Sequence, residues 1–368
     1  MSFFDFMQSW NDFDIERYCS EVTSQKVKSI LSKDNLTEFD FLSLLSDAAD
    51  PFLEEIARKA AMQTCIHFGK TVKIFTPLYI SNYCQNKCAY CSFASQHQIN
   101  RRHLKLSEIR EEAQKISQSG IRHILLLTGE APSLVTLDYI KNAVMILREY
   151  FSSVSIEIYP MTSEEYSELI LAGVDGLTIY QETYNQALYA ELHKGGPKAD
   201  YRFRLETPER VCAQGIRAVT IGALFGLYDW RYEAFFTALH AAYIQKEYPS
   251  VELGVSFPRL RPQAGEYSSS FLVNDRQFVR MMVASRLFLP YATITVSTRE
   301  SEKFRNAIIP LGVTKMSAGV STAVGGHTGD ASTSQFEIAD ERTLEQVKAD
   351  LRRMGYQAVM HDWSGKLV

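Results

Sequence analysis

From Thr71 onward the chain alternates short β-rich runs with amphipathic helical stretches, and this rhythm restricts its fold more than any other feature. The β-rich runs are Val72–Ser81, Arg122–Glu130, Ser153–Pro160, Asp175–Glu182, Arg217–Leu227, Val251–Leu260, Ala292–Glu300 and Val313–Val320, eight in all. Between most neighbours lies a stretch with apolar residues three and four apart, such as LSEIREEAQKISQSG, LDYIKNAVMILREYF and DRQFVRMMVASRLFLP. Strands joined through a helix pair in parallel, because the crossover returns the chain to the same end of the sheet. Eight such units predict an α/β fold, a closed (β/α)8 barrel of the TIM type. A doubly wound open sheet is the competitor, and the regularity of the repeats favours closure. With 368 residues, 46% of them apolar, the chain can build a barrel core and appended ends.

The expected boundaries are a helical N-terminal extension over 1–70, the barrel over 71–320 and a C-terminal extension over 321–368. In the first, DIERYCSEVTSQKVKSILSK and DPFLEEIARKAAMQTCIHFG carry helical periodicity. Asp50 is the expected cap of the second helix, Pro51 its first helical residue and Gly69 its stop. After the barrel a glycine-rich loop, STAVGGHTGDAST, leads to a surface helix in DERTLEQVKADLRRMGY, starting at Asp340 or Thr343 and ending before Gly355. Both extensions are expected first to cap the barrel, with contact to a partner protein as the other role.

Bulk properties exclude several classes of partner. A formal net charge of -4 with no basic tract gives no reason to expect nucleic acid or an anionic membrane. No apolar run reaches the ~18 residues of a membrane span. The first residues lack the basic and apolar regions of a signal peptide. These features predict a soluble, cytoplasmic protein. Cys19, Cys65 and Cys212 are scattered and read as small buried hydrophobes.

The C-terminal tips of the runs carry polar groups: Thr128-Gly129-Glu130, Glu157, Gln181-Glu182, Arg259, Arg299-Glu300 and Ser317. Strands commonly end in polar residues because loops are wet. Repeated over six strands, the pattern instead marks the barrel rim where active sites are built.

The loop after the first strand holds SNYCQNKCAYCSF, with Cys84, Cys88 and Cys91 spaced C-x3-C-x2-C. Structural zinc needs four donors, and His97 or His103 would complete a Cys3His set. A redox dithiol of Cys88 and Cys91 leaves Cys84 unexplained and lacks a thioredoxin-like context. An iron–sulfur cluster accounts for all three thiolates and leaves one iron open to a bound molecule. A non-enzymatic electron carrier would instead close its cluster with a fourth cysteine.

With Tyr90 before the last cysteine and TGE (Thr128, Gly129, Glu130) closing the second strand, the pattern resembles the radical S-adenosylmethionine (SAM) superfamily. YQETYN (180–185), RLETPERV (204–211), GALFGLYDW (222–230), SFPRLRP (256–262), STRES (297–301) and the closing QFEIADERT…GYQAVMHDW extend the resemblance over nearly the whole chain. They are similar to the aromatic amino-acid lyase branch and, within it, to the 2-iminoacetate synthase family, the tyrosine lyases of thiamine thiazole biosynthesis. One departure is Ser92, where the family usually has glycine.

The resemblance implies a 4Fe-4S cluster on Cys84, Cys88 and Cys91, with the SAM amine and carboxylate on the open iron. It implies cleavage of the L-tyrosine Cα–Cβ bond to 2-iminoacetate (dehydroglycine) and p-cresol, with SAM giving methionine and 5'-deoxyadenosine. Glu130 and its neighbours Thr128 and Gly129 would meet the SAM amine, Glu157 the ribose or amino-acid part, Arg204 the SAM carboxylate, and Leu224 and Phe225 the adenine. Plain barrel core is the other reading of Leu224 and Phe225. Arg299 would hold the tyrosine carboxylate, with Ser317 and Tyr79 as companions and Arg259 and Arg261 as rivals. Glu182, Tyr180 and His327 are the groups considered for the phenol.

The implied partners are a reduced flavodoxin or ferredoxin and thiazole synthase. A tryptophan lyase shares the expected fold. The tyrosine lyase of hydrogenase maturation would bring a second cluster on C-terminal cysteines, and this sequence has none after Cys212.

Overall fold

The computed structural model describes residues 1–263, 267–329 and 332–361. Asp330 and Ala331 of the glycine-rich loop, and Asp362 and Trp363 of the closing motif, lie outside the described residues. Eight strands follow the predicted rhythm: β1 Thr71–Ser81, β2 His123–Thr128, β3 Ser153–Glu157, β4 Gly176–Glu182, β5 Ala218–Ala223, β6 Glu252–Ser256, β7 Thr293–Val296 and β8 Lys315–Ser317. All are parallel and pair in chain order, and β1 pairs with both β8 and β2. The sheet therefore closes into the expected α/β barrel. Except for β1 and β4, which reach the ends of their runs, the strands are shorter than the runs that predict them, because the last residues of those runs leave the ladder and become rim loops. A ninth strand, β9 Gln357–Val359, lies parallel to Thr71–Lys73 of β1 and has no counterpart in the sequence reading.

Side chains alternate across each strand. Outward positions such as Ile74, Leu126, Ile156, Ile221, Val255 and Ile294 are buried and apolar and meet the helices. Inward positions mix charged, hydroxyl and small residues toward the N-terminal end with the larger Phe75, Leu125 and Leu127, which line the pocket. At the N-terminal end, Lys73 and Arg217 pair with Glu252 at 2.6 and 2.9 Å, and Arg217 lies 3.6 Å from Asp175. Above them Gly254 leaves room for the hydroxyls of Thr220 and Thr293; an added Cβ would come within 2.6 Å of each. Bulky branched residues fill many barrels of this type. This one leaves its C-terminal half open.

The ladder is irregular at two places, between Tyr79 and Ser81 of β1 and between Tyr180 and Glu182 of β4. Bulges of this kind bend a strand and re-aim its side chains. Both lie at the C-terminal rim.

The predicted helices form the outer ring, and one more, Glu302–Gly312 with Pro310 inside it, joins β7 to β8. The N-terminal helices do not plug the barrel. Leu53–Phe68 packs on Asp275–Phe288 and Glu302–Gly312, and Phe41 stacks on Phe288 at 5.1 Å. Asp50 does not cap: a 3-10 turn over Asp47–Phe52 precedes the helix, and the Asp50 carboxylate pairs with Arg276 and Arg280. Gly69 ends that helix at φ +63° as expected. In the C-terminal helix Leu344–Arg353, Thr343 is the cap, while Asp340 is buried against Arg305 and Arg342. Cys65 is exposed rather than buried, and Cys212 is buried. Among the described residues no helix is long and apolar enough to cross a membrane.

Candidate active site

The cysteine loop leaves the β1 bulge and is held at three points by backbone from two segments. The Gln85 N–H donates to Glu130 O at 2.8 Å, Lys87 N–H to Gly195 O at 3.0 Å and Ala89 N–H to Leu192 O at 3.1 Å. Arg101 clamps it from outside, donating to the carbonyls of Asn82, Phe93, Ala94 and His97 at 2.6–3.2 Å. Gly129, at the end of β2, lies directly beneath: an added Cβ would stand 2.3 Å from Tyr83 O and 3.3 Å from Cys84 Cβ. The TGE motif thus has a structural demand for glycine at its centre. Glu130 is buried, and its carboxylate accepts from Asn86 Nδ2 at 2.6 Å.

Tyr90 lies on the pocket side of the loop. Its O–H donates to His193 Nε2 at 2.8 Å, and His193 Nδ1–H donates to Tyr189 O at 2.7 Å. A carbonyl can only accept, so Nδ1 carries a proton, and burial, which lowers the imidazole to about 3, leaves it neutral with Nε2 as the acceptor.

The donor set fits an iron–sulfur cluster. All three thiols are free, and Cys84 and Cys91 both lie within electrostatic reach of Cys88. Burial pushes Cys88 up to about 12 and raises Cys91, with Lys198 acting in the opposite direction. A thiolate here therefore needs a bound cation to sustain it. Among the described residues no three His, Cys, Asp or Glu side chains converge on a single ion. A mononuclear zinc site is not assembled: His97 turns to Ser92 O, and His103 packs on Tyr139.

The pocket at the mouth of the barrel brings most of the predicted residues together. Tyr90, Cys91, Glu157 and Leu224 line it along with Tyr79, Glu182, Arg299 and Ser317. Tyr180 lines it too, with its O–H toward Ser256. The Tyr79 hydroxyl donates to Gln335 Oε1 at 2.8 Å, and Ser317 Oγ accepts from Thr298 N–H at 3.2 Å. Burial raises the Glu157 carboxyl to about 7, against the pull of Arg299.

Glu182 is the one non-glycine residue with positive φ among the described residues, at +70°. That conformation is costly for a side chain with a Cβ and marks an enforced position. Its carboxylate receives Lys198 Nζ at 2.6 Å and lies 3.3 Å from Arg204. Burial alone would raise this carboxyl, but Lys198 and Arg204 outweigh it and hold it low. Lys198 escapes a reading of strand tips because it sits in a short 3-10 turn, Pro197–Ala199.

Other predicted residues fall elsewhere. Glu130 and Arg204 line an adjoining cleft that shares Lys198 with the pocket. Phe225 is wholly buried behind Leu224, packed on Phe257 at 5.7 Å, so of this pair only Leu224 faces the pocket. His327 lies within the glycine-rich loop, with Nε2 toward Pro77 O.

The rival arginines separate. Arg259 pairs with both oxygens of Glu300 and with Asp275. Arg299 has no carboxylate within ion-pairing distance among the described residues, and its guanidinium carbon lies 3.5 Å from the centre of the Phe336 ring. Arg261 also lines the pocket, and its Nε has no hydrogen-bond partner among the described residues.

Comparison with known proteins follows the same lines. The radical SAM superfamily matches residues 78–239, and the Biotin and Thiamin Synthesis associated domain matches residues 256–357. The chain is 39% identical to the 2-iminoacetate synthase of Escherichia coli (strain K12), over 98% of this chain and 97% of that protein. The crystal structure of HydG, a maturase of the FeFe-hydrogenase, superposes with a TM-score of 0.90 at 30% identity, covering 95% of this chain and 80% of that one. Methylornithine synthase (PylB), at 21% identity and a TM-score of 0.72, shares the fold.

Proposed function

This chain belongs to the 2-iminoacetate synthase family of the radical SAM superfamily, and on that premise we propose that its barrel pocket cleaves the Cα–Cβ bond of L-tyrosine to 2-iminoacetate and p-cresol. We assign a 4Fe-4S cluster to Cys84, Cys88 and Cys91 and SAM to the space between them and the pocket. When bound, the cluster supplies the electron that splits SAM into methionine and the 5'-deoxyadenosyl group, which takes hydrogen from the tyrosine amine.

The protein's own task is grip, aim and exclusion of water. Gly129 lets the cysteine loop lie close over β2. Glu182, fixed between Lys198 and Arg204, and Glu130, fixed by Asn86, bracket the SAM side. Leu224 offers an apolar surface to adenine. Arg299 receives the substrate carboxylate through a bidentate contact, flanked by Tyr79 and Ser317. Glu157, with its pKa moved to about 7, is able to exchange a proton near neutral pH beside Tyr180 and Tyr79. The reductant would be a low-potential flavodoxin or ferredoxin, and the unstable imine product favours handover to a thiazole synthase.

The observation that carries this reading is that Cys91 and Arg299 line one pocket, with no carboxylate paired to the Arg299 fork among the described residues. Anaerobic reconstitution, then SAM and reductant with either tyrosine or tryptophan, tests it. The expected products are 5'-deoxyadenosine and p-cresol from tyrosine. Turnover of tryptophan alone would overturn the substrate, and iron-free, zinc-loaded protein would overturn the chemistry.

A further inference from the structure

The strand tips account for one wall of the pocket, but another wall comes from a segment that carries no barrel strand. After the glycine-rich loop the chain passes back over the mouth of the barrel, and Gln335 and Phe336 line the pocket. Hydrogen bonds pin this strap to three rim loops. Gln335 N–H donates to Thr322 O at 3.1 Å and Thr322 Oγ1 donates to Phe336 O at 3.0 Å. Glu337 N–H reaches Pro262 O at 3.3 Å, and Ala339 N–H donates to Thr298 O at 2.8 Å, one residue from Arg299.

A guanidinium is usually fixed by acids, as Arg259 is by Glu300 and Asp275. Arg299 is held differently. Among the described residues its one hydrogen bond from the guanidinium is long, 3.4 Å to Arg259 O, and the Phe336 ring covers it at 3.5 Å. A ring face attracts the cation and blocks its swing, yet it consumes no N–H donor and neutralises no charge. An acid in that place would compete with an incoming carboxylate. The same strap holds Tyr79, whose O–H donates to Gln335 Oε1 at 2.8 Å.

We propose that Phe336 is a positioning residue for substrate: it aims the Arg299 guanidinium so that its free edge meets the amino-acid carboxylate. This rests on the assignment of Arg299 to the carboxylate.

The test uses reconstituted enzyme with Phe336→Leu, the milder Phe336→Met, Phe336→Trp and Arg299→Ala. Tyrosine affinity is compared with that of tyramine, which lacks the carboxylate, and deoxyadenosine is counted per p-cresol formed. Phe336→Leu and Phe336→Met are expected to weaken tyrosine binding by about 3- to 30-fold, the range of a cation–π contact. Both should leave tyramine binding unchanged and raise the deoxyadenosine count per p-cresol. Phe336→Trp should restore tyrosine affinity. Equal loss for tyrosine and tyramine, or no loss while Arg299→Ala abolishes tyrosine binding, would overturn the role of Phe336 alone. Unchanged tyrosine binding in Arg299→Ala would overturn the carboxylate assignment beneath it.

Discussion

Lys198 Nζ and Glu182 Oε1 meet at 2.6 Å inside the barrel mouth, and Arg204 approaches the same oxygen at 3.3 Å. One buried carboxylate thus serves two buried cations. Removing one cation leaves a pair; removing the carboxylate leaves two like charges facing each other. Glu182→Gln is therefore expected to destabilise the chain by about 3–5 kcal/mol, the cost of an uncompensated buried charge, and Lys198→Met by about 2 kcal/mol. Urea denaturation of the two variants checks the order, and a Lys198→Met loss equal to or above that of Glu182→Gln would contradict it.

Arg259 and Arg299 lie on neighbouring rim loops and should respond in opposite ways. Arg259→Ala strands Glu300, which is buried, and should cost about 3 kcal/mol of stability. Arg299→Ala removes no carboxylate partner among the described residues. It should leave the melting temperature within a few degrees while tyrosine binding falls at least about 100-fold, the scale of a lost charge-assisted bidentate contact. Calorimetry for binding and thermal denaturation for stability separate the two outcomes.

The barrel was legible because eight strand–helix repeats leave almost no other closed arrangement, and the cluster loop because its three thiols lie within eight residues. What stayed hidden depends on contacts distant in sequence. Asp50-Pro51 looks like a helix start, but Arg276 and Arg280, more than two hundred residues away, claim the aspartate instead. Lys198 sits in a loop with no periodicity, and only the fold brings it to Glu182. The helix Glu302–Gly312 was obscured by Pro310, which lies near its C-terminal end. Phe336 lies outside any strand, so a search of strand tips passes over it.

Gly129→Ala tests the close approach under the cysteine loop. The added methyl would stand 2.3 Å from a backbone carbonyl, which cannot rotate away as a side chain would. The loop must move, at a cost of about 1–3 kcal/mol. Cys84 is attached to the displaced segment, so iron and sulfide per chain after reconstitution should fall well below those of the parent. Full cluster loading in this variant would show that the loop yields without penalty.

Stability of the cluster-free chain should peak near neutral pH, for two opposing reasons. His193 and His240 are buried neutral, with burial lowering both to about 3. The unfolded chain binds their protons first, so they favour folding above about pH 6.5 and cost stability as pH falls below it. Glu233 behaves in the opposite sense. Burial raises its carboxyl from 4.5 to about 8, although Thr183 Oγ1 and Tyr184 N–H donate to it. Between these values the native state holds a proton that the unfolded chain has released, so stability falls as pH rises. From about pH 7 to 8 the histidines are largely neutral in both states; Glu233 contributes a loss of about 1 kcal/mol, and Glu157, raised to about 7, adds a smaller loss of the same sign. Glu233→Gln keeps an acceptor for Tyr184 N–H and cannot ionise. Urea denaturation at these two pH values should show a loss in the parent about 1 kcal/mol larger than in Glu233→Gln; an equal loss in both would rule out Glu233 as a source.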